Sequence, residues 1–119
     1  MIKSIYIVEP ITPDKPFIKD IKQFFGLKSV EIKFATYGRI NHCNLEVSIY
    51  CNETELIHTE TINAAYLNDM TYHKLLLNDY IRESAVKYFI EIHSSDASSN
   101  NCVIMSCLNE CTCSTSGFK

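Results

Sequence analysis

Along much of the chain, apolar and polar residues alternate one for one, the period of a β-strand that turns one face to a core and the other to water. In residues 29–37, Val30, Ile32 and Phe34 alternate with Glu31 and Lys33. In residues 44–51, Leu45, Val47, Ile49 and Cys51 alternate with Glu46 and Ser48. In residues 86–93, Val86, Tyr88, Ile90 and Ile92 alternate with Lys87, Phe89, Glu91 and His93. Residues 3–8, 56–62, 72–78 and 102–108 alternate less cleanly, but they are rich in β-branched or aromatic residues and end at turn formers, so they too are predicted as strands. Turn-rich pieces at 37–42, 52–55 and 94–101 separate them, and residues 63–69, with Ala64, Ala65 and Leu67, predict a single helical turn. The pattern predicts an all-β chain folded as an antiparallel β-sandwich, jelly-roll-like, of about 7–8 strands with at most one or two short helical turns.

One segment fits two periods. Across residues 14–26, Phe17, Ile18, Ile21, Phe24 and Phe25 recur at helical spacing, and Asp14, Pro16 and Gly26 suit a helix start and stop. The same stretch around 21–25 also reads as a strand leading into residues 27–30.

Composition narrows the class. A chain of 119 residues with 46% hydrophobic and 21% charged residues has the make-up of one folded domain, expected over residues 1–110, with 111–119 a Cys/Ser-rich tail or a truncated final strand. Eleven basic residues against fourteen acidic ones give a net charge of −3, and neither half is basic, so no nucleic-acid partner is expected. The first residues are broken by Pro10, Pro13 and several charges, unlike a signal peptide, and no apolar run reaches the ~18 residues of a membrane span. A cytoplasmic location without membrane insertion is therefore expected.

Candidate chemistry is sparse. Cys102, Cys107, Cys111 and Cys113 put four thiols close together, but one pair is C-x-C and Cys102 falls in a predicted strand, a poor match to the paired ligands of a zinc site. These cysteines, with Cys43 and Cys51, are read as free thiols, and neither metal nor cofactor is expected. His42, His58, His73 and His93 show no metalloprotease spacing, and no nucleophile elbow or phosphate loop is present, so no catalytic residues are assigned and the chain is not expected to be an enzyme by itself. Asn52-Glu53-Thr54 matches a glycosylation acceptor and is read as a hairpin turn.

The turn Thr36-Tyr-Gly-Arg-Ile-Asn41 is more informative. Gly38 suits a position of positive φ, and Tyr37, Arg39 and Asn41 offer a stacking ring, a five-donor fork and an amide at one sandwich edge. Those groups suit sugar hydroxyls, and they equally suit a structural role in which Arg39 ties down a neighbouring loop. Asp69, Asp96, Asn100 and Asn101 lie in other loops that can reach the same edge. The ligand-binding set expected here is Tyr37, Arg39, Asn41, Asp69, Asp96 and Asn101.

The succession Ile32-Lys-Phe-Ala-Thr-Tyr-Gly-Arg-Ile-Asn41, Asn44-Leu-Glu-Val-Ser-Ile-Tyr50, Ala64-Ala-Tyr-Leu-Asn-Asp69 and Ser84-Ala-Val-Lys-Tyr-Phe-Ile-Glu-Ile92 with Ser94-Ser-Asp-Ala97 resembles a known type. It is similar to the small jelly-roll, carbohydrate-binding-like domains associated with bacterial glycosyltransferases and cell-envelope polysaccharide enzymes, over about residues 2–108. The resemblance rests on the T-Y-G-R-x-N turn, the L-x-D step and the S-x-x-K-Y strand start. It implies a strand containing Gln23 at 21–25 and a non-catalytic accessory module. Its implied partners are a glycan or sugar-linked substrate and a catalytic domain in the same or a partner polypeptide. Two features depart from the type: the Cys-rich tail and the lack of an evident aromatic platform, Trp being absent. The alternative is a structural or protein-interaction sandwich that docks on a catalytic domain or forms a homo-oligomer without binding sugar.

Overall fold

The computed structural model describes residues 10–24, 26–52, 55–79 and 86–112. Seven strands run through them: β1 (Phe17–Phe24), β2 (Leu27–Ala35), β3 (Asn44–Cys51), β4 (Glu55–Asn63), β5 (Thr71–Asp79), β6 (Val86–His93) and β7 (Ile104–Thr112). The helical content among the described residues is one 3-10 turn, Ala64–Tyr66, capped by the Asn63 side chain. A four-stranded sheet has the order β1-β6-β3-β4 and a three-stranded sheet the order β5-β2-β7. All five pairings are antiparallel. Of the successive connections, β3 to β4 alone stays within its sheet, and the others cross from one sheet to the other. The result is the expected all-β sandwich.

Two-residue periodicity builds the core. Val30, Ile32 and Phe34 of β2, Leu45, Val47, Ile49 and Cys51 of β3, and Tyr88, Ile90 and Ile92 of β6 are all fully shielded from solvent. They meet Leu75 and Leu77 of β5, and Met105 and Leu108 of β7, in one continuous cluster. The intervening residues of the same strands face outward, as on any half-buried pleated sheet.

Several boundaries differ from the sequence pattern for identifiable reasons. The strand expected over 29–37 ends at Ala35, because Tyr37 adopts a φ of 63° and turns the chain. Cys102 does not lie in a strand: it precedes β7, which starts at Ile104. Residues 17–24 form β1 and not an amphipathic helix, pairing with β6 from Phe17↔Ile92 to Phe24↔Val86. A register shift between Ile21 and Gln23 blurs the alternation that would have identified this strand. Cys111 and Thr112 continue β7, opposite Ser29 and Leu27. The strand expected at 3–8 lies outside the described residues, as do Phe25, Glu53, Thr54 and Cys113.

Edge strand β4 comes near edge strand β5 at one side of the sandwich, and three polar side chains close the gap. His58 and Glu60 sit opposite the buried Ile49 and Val47, and His73 sits opposite the buried Ile32, so all three occupy core-facing positions. Glu60 links them: His58 Nε2 lies 3.1 Å from Oε1 and His73 Nε2 lies 3.1 Å from Oε2. Inward polar residues on an edge strand disfavour its pairing with another chain.

Two outcomes follow from this packing. Ile90→Ala should destabilise the fold by about 2–5 kcal/mol in urea denaturation, whereas Leu76→Ala, at an exposed position of β5, should change it by less than about 0.5 kcal/mol. The second concerns pH. Burial raises the Glu60 pKa, but hydrogen bonds and charge from His73 and His58 outweigh it and hold the carboxyl below 4.5. A depressed acid contributes stability above its unfolded pKa and loses it as pH falls through the folded value. The urea midpoint should therefore drop more steeply below pH ~4.5 in the wild-type chain than in Glu60→Gln, which lacks the titrating carboxyl.

Candidate functional site

The loops that follow β2, β4 and β6 gather at one end of the sandwich, and all six residues expected to bind ligand lie there. The tightest of these loops begins at Thr36, where Arg39 N–H donates to Thr36 O at 3.3 Å. Its two central residues, Tyr37 and Gly38, have φ of 63° and 65°, the backbone of a type I′ turn. Glycine accepts that conformation freely, whereas for a tyrosine it costs roughly 1 kcal/mol. The Arg39 guanidinium stacks 4.5 Å from the Tyr37 ring centroid. Its Nε donates to Asn41 Oδ1 at 2.8 Å, and Nη2 reaches Cys102 Sγ at 3.8 Å.

The remaining polar groups at this end bind other loops. Asn41 is fully buried, and its Nδ2 donates to Thr36 O at 3.0 Å. Asp69 Oδ1 accepts from Thr36 N at 2.7 Å and from Thr36 Oγ1 at 3.2 Å. Asp96 Oδ1 accepts from Asn44 N at 3.0 Å. Asn101 Oδ1 accepts from His42 N, and its Nδ2 returns a hydrogen bond to His42 O at 2.9 Å. Arg39, Asn41, Asp69, Asp96 and Asn101 are thus brought to one end of the fold, and each uses donors or acceptors to fasten neighbouring backbone and side chains. Tyr37 projects into solvent beside them.

Cys43, Cys102 and Cys107 are free thiols. Burial pushes the Cys43 thiol up, against the opposing effect of its hydrogen bond with Ser94, which keeps it protonated and unreactive. Among the described residues, no group of three or more His, Cys, Asp or Glu side chains is placed to hold a metal ion.

A different surface has the character of a binding site. On the outward face of the four-stranded sheet, Tyr50 of β3 and Phe89 of β6 are direct cross-strand partners. Phe89 is paired on its other side with Asp20 of β1, and Tyr50 with Leu56 of β4, so one row across the sheet reads Leu56, Tyr50, Phe89, Asp20. The next row reads Thr59, Ser48, Glu91, Ile18. A groove of about 430 Å³ opens here, lined by Ile18, Tyr50, Phe89 and Glu91. Tyr50 and Phe89 thus form a cross-strand aromatic pair that the sequence did not reveal. Each ring occupies a water-facing position of an otherwise alternating strand, a signal visible strand by strand, while the adjacency of β3 and β6 was not.

Charged groups frame the platform. Lys87 Nζ lies 3.2 Å from Asp20 Oδ2 and 5.4 Å from the Phe89 ring centroid. Glu91 Oε2 is 2.5 Å from His93 Nε2. The face combines flat apolar area with carboxylate and hydroxyl groups that accept or donate hydrogen bonds, which suits a ligand with one apolar face and a polar rim.

Because Asn41 is buried and joins Thr36 O to the Arg39 side chain, Asn41→Ala should lower stability by about 1–3 kcal/mol in chemical denaturation, the cost of leaving buried partners unsatisfied.

No protein-family model matches the chain, and no curated protein matches it. Among solved structures, the chain is similar to part of a variant of Xylanase10C from Cellvibrio japonicus in complex with xylopentaose, with a TM-score of 0.56 and 9% sequence identity. The match covers 97% of this chain and 26% of that one. At this identity the likeness establishes a shared all-β fold.

Proposed function

We propose that this chain is a non-catalytic carbohydrate-binding module and that the outward face of the four-stranded sheet receives the saccharide. The observation that carries this reading is the cross-strand pair Tyr50 and Phe89, two aromatic side chains set side by side where water-facing strand positions ordinarily hold polar residues. A pyranose ring has an apolar C–H face and a hydroxyl rim. Stacking on the rings covers the first, and Glu91, Asp20, Ser48 and Thr59 surround the place where the second would lie.

The open groove favours holding over catalysis. Enzyme sites exclude water around the reacting bond, and this face is spread across a solvated sheet. Affinity on such a surface is expected to be weak, because sugar hydroxyls already hydrogen-bond well to water and little is gained by exchanging those partners. A module of this kind acts by keeping glycan or sugar-linked substrate near a catalytic domain of the same or a partner polypeptide, of the glycosyltransferase type that the sequence resemblance implies. The fold similarity to part of a chain solved with xylopentaose guides the first ligand to test, without assigning it.

A second reading has its own support. Leu56 and Ile18 are 50% and 60% exposed at the two sides of the aromatic pair, and their aliphatic side chains extend the apolar strip without offering stacking faces. That composition also suits docking of the strip on a catalytic domain or on a second copy.

Titration of the isotopically labelled chain with xylopentaose should shift amide resonances of β3 and β6. Phe89→Ala should abolish those shifts while preserving the dispersed spectrum of a folded sandwich. A wild-type spectrum that no saccharide perturbs, together with concentration-dependent light scattering, would favour the docking reading.

A further inference from the structure

We infer that this face selects uncharged saccharides over those bearing uronate or sulfate groups, and that Glu91 is the residue that sets the selection. The inference rests on the reading of the face as a saccharide platform, and it concerns which saccharides the platform admits.

The charge pattern is the basis. Three carboxylates stand on the outward positions of this sheet: Asp20 on β1, Glu91 on β6 and Glu46 on β3, the last opposite His93. Lys87 is held by Asp20 at 3.2 Å and lies over the Phe89 ring, and His93 contacts Glu91 at 2.5 Å. An anionic sugar stacked on Tyr50 and Phe89 would approach the carboxylate of Glu91, which lines the same groove as both rings. Arg39, the usual type of side chain for bidentate anion recognition, belongs to the loop end and is tied to Asn41 and Tyr37.

Glu91 holds the decisive position. It lines the groove together with both rings, and its cross-strand neighbours are Ser48 and Ile18. It is partly shielded, with the side chain 28% exposed, so its charge acts through a medium less polarisable than bulk water. Hydroxyl groups donate to a carboxylate, which makes Glu91 an attractive partner for a neutral sugar. A ligand carboxylate or sulfate has no proton to offer at neutral pH and meets repulsion at the same place.

The geometry also gives the ligand a direction. The aromatic row runs across four strands, and with strands ~4.8 Å apart it spans roughly 14 Å from β4 to β1. An extended oligosaccharide of a few units fits along that row, crossing the strands, with its sugars stacked in succession on Tyr50 and Phe89.

The test compares a neutral oligosaccharide, xylopentaose, with an oligogalacturonate of similar length, titrated into the labelled full chain at neutral pH and low salt. Xylopentaose should shift the amides of β3 and β6 at concentrations at which the oligogalacturonate leaves them unmoved. In Glu91→Gln, the preference for the neutral ligand should fall by about tenfold, the scale of one nearby charge in a partly shielded site. Glu91→Ala, with a spectrum that reports a folded sandwich, separates loss of the carboxylate from loss of the fold. Equal or tighter binding of the oligogalacturonate to the same strands would overturn the selection and leave the platform standing. An unchanged preference in both Glu91 variants would overturn the role of Glu91. Failure of every saccharide to perturb β3 or β6 would remove the platform reading and this inference with it.

Discussion

Two pleated sheets share a single layer of apolar side chains, and that layer fixes everything outside it. Strands β3 and β6 are adjacent and central, and their alternate residues Leu45, Val47, Ile49, Tyr88, Ile90 and Ile92 are completely buried. Fully burying one such side chain contributes roughly 1.5–3 kcal/mol. Because the side-chain period is two, a slip of either strand by one residue would exchange this whole set for Glu46, Ser48 and Tyr50 or for Lys87, Phe89 and Glu91. Bringing Lys87, Glu91 and Glu46 into the core would add the cost of burying charge. The register is locked by that penalty, and it is the register that sets Tyr50 beside Phe89 on the opposite face. The position of the aromatic pair is thus a consequence of the core, held by rigid strands and not by a loop.

The loop end answers to a different constraint. Five of the six connections between the described strands cross between the sheets, and several do so at this end. A crossing connection takes the backbone out of the hydrogen-bonded ladder, so its N–H and C=O groups need other partners. Asp69 serves Thr36 N, Asp96 serves Asn44 N, Asn41 serves Thr36 O, and Asn101 serves both polar groups of the His42 backbone. Residues with the right chemistry for sugar hydroxyls are, for the same chemical reason, right for stray backbone groups. In this fold Asn41, Asp69, Asp96 and Asn101 each bond to such a group.

That distinction explains what could be read from the sequence. Residues 44–51 and 86–93 were legible to the residue as β3 and β6, since Leu45, Val47, Ile49 and Cys51 and then Tyr88, Ile90 and Ile92 had a core to enter. Residues 14–26 were ambiguous because Phe17, Ile18, Ile21 and Phe24 satisfy a helical period as well, and pairing with β6 supplies the missing information. The end of β2 was overshot because Thr36 and Tyr37 have strand-like side chains, while the turn at Gly38 demands positive φ one residue earlier than glycine alone announces. The aromatic pair was half legible. Tyr50 and Phe89 each stood out on a polar phase, but sequence periodicity reports which face a residue occupies and carries no record of which strand lies alongside. The trio His58, Glu60 and His73 was hidden by the same gap, since β4 and β5 belong to different sheets.

The two open aspects of the sandwich are consequently unequal as places for a partner. A sheet edge offers unpaired backbone groups and so recruits strands of any chain, including a copy of this one. At β4, His58 and Glu60 occupy inward positions, and their ties to His73 fasten that edge to β5. An incoming strand would have to disturb this clasp to pair closely. The face of the four-stranded sheet carries no such guard at its centre: Ile18, Tyr50 and Phe89 form an apolar strip, and around it Lys87 is paired with Asp20 while the His93 ring contacts Glu91. Pairing those charges with each other lowers the cost of covering the strip, because each carboxylate retains a partner when water is displaced. A ligand of the kind proposed above, lying flat and bringing its own hydroxyl groups, would meet those requirements with the least rearrangement of the strip.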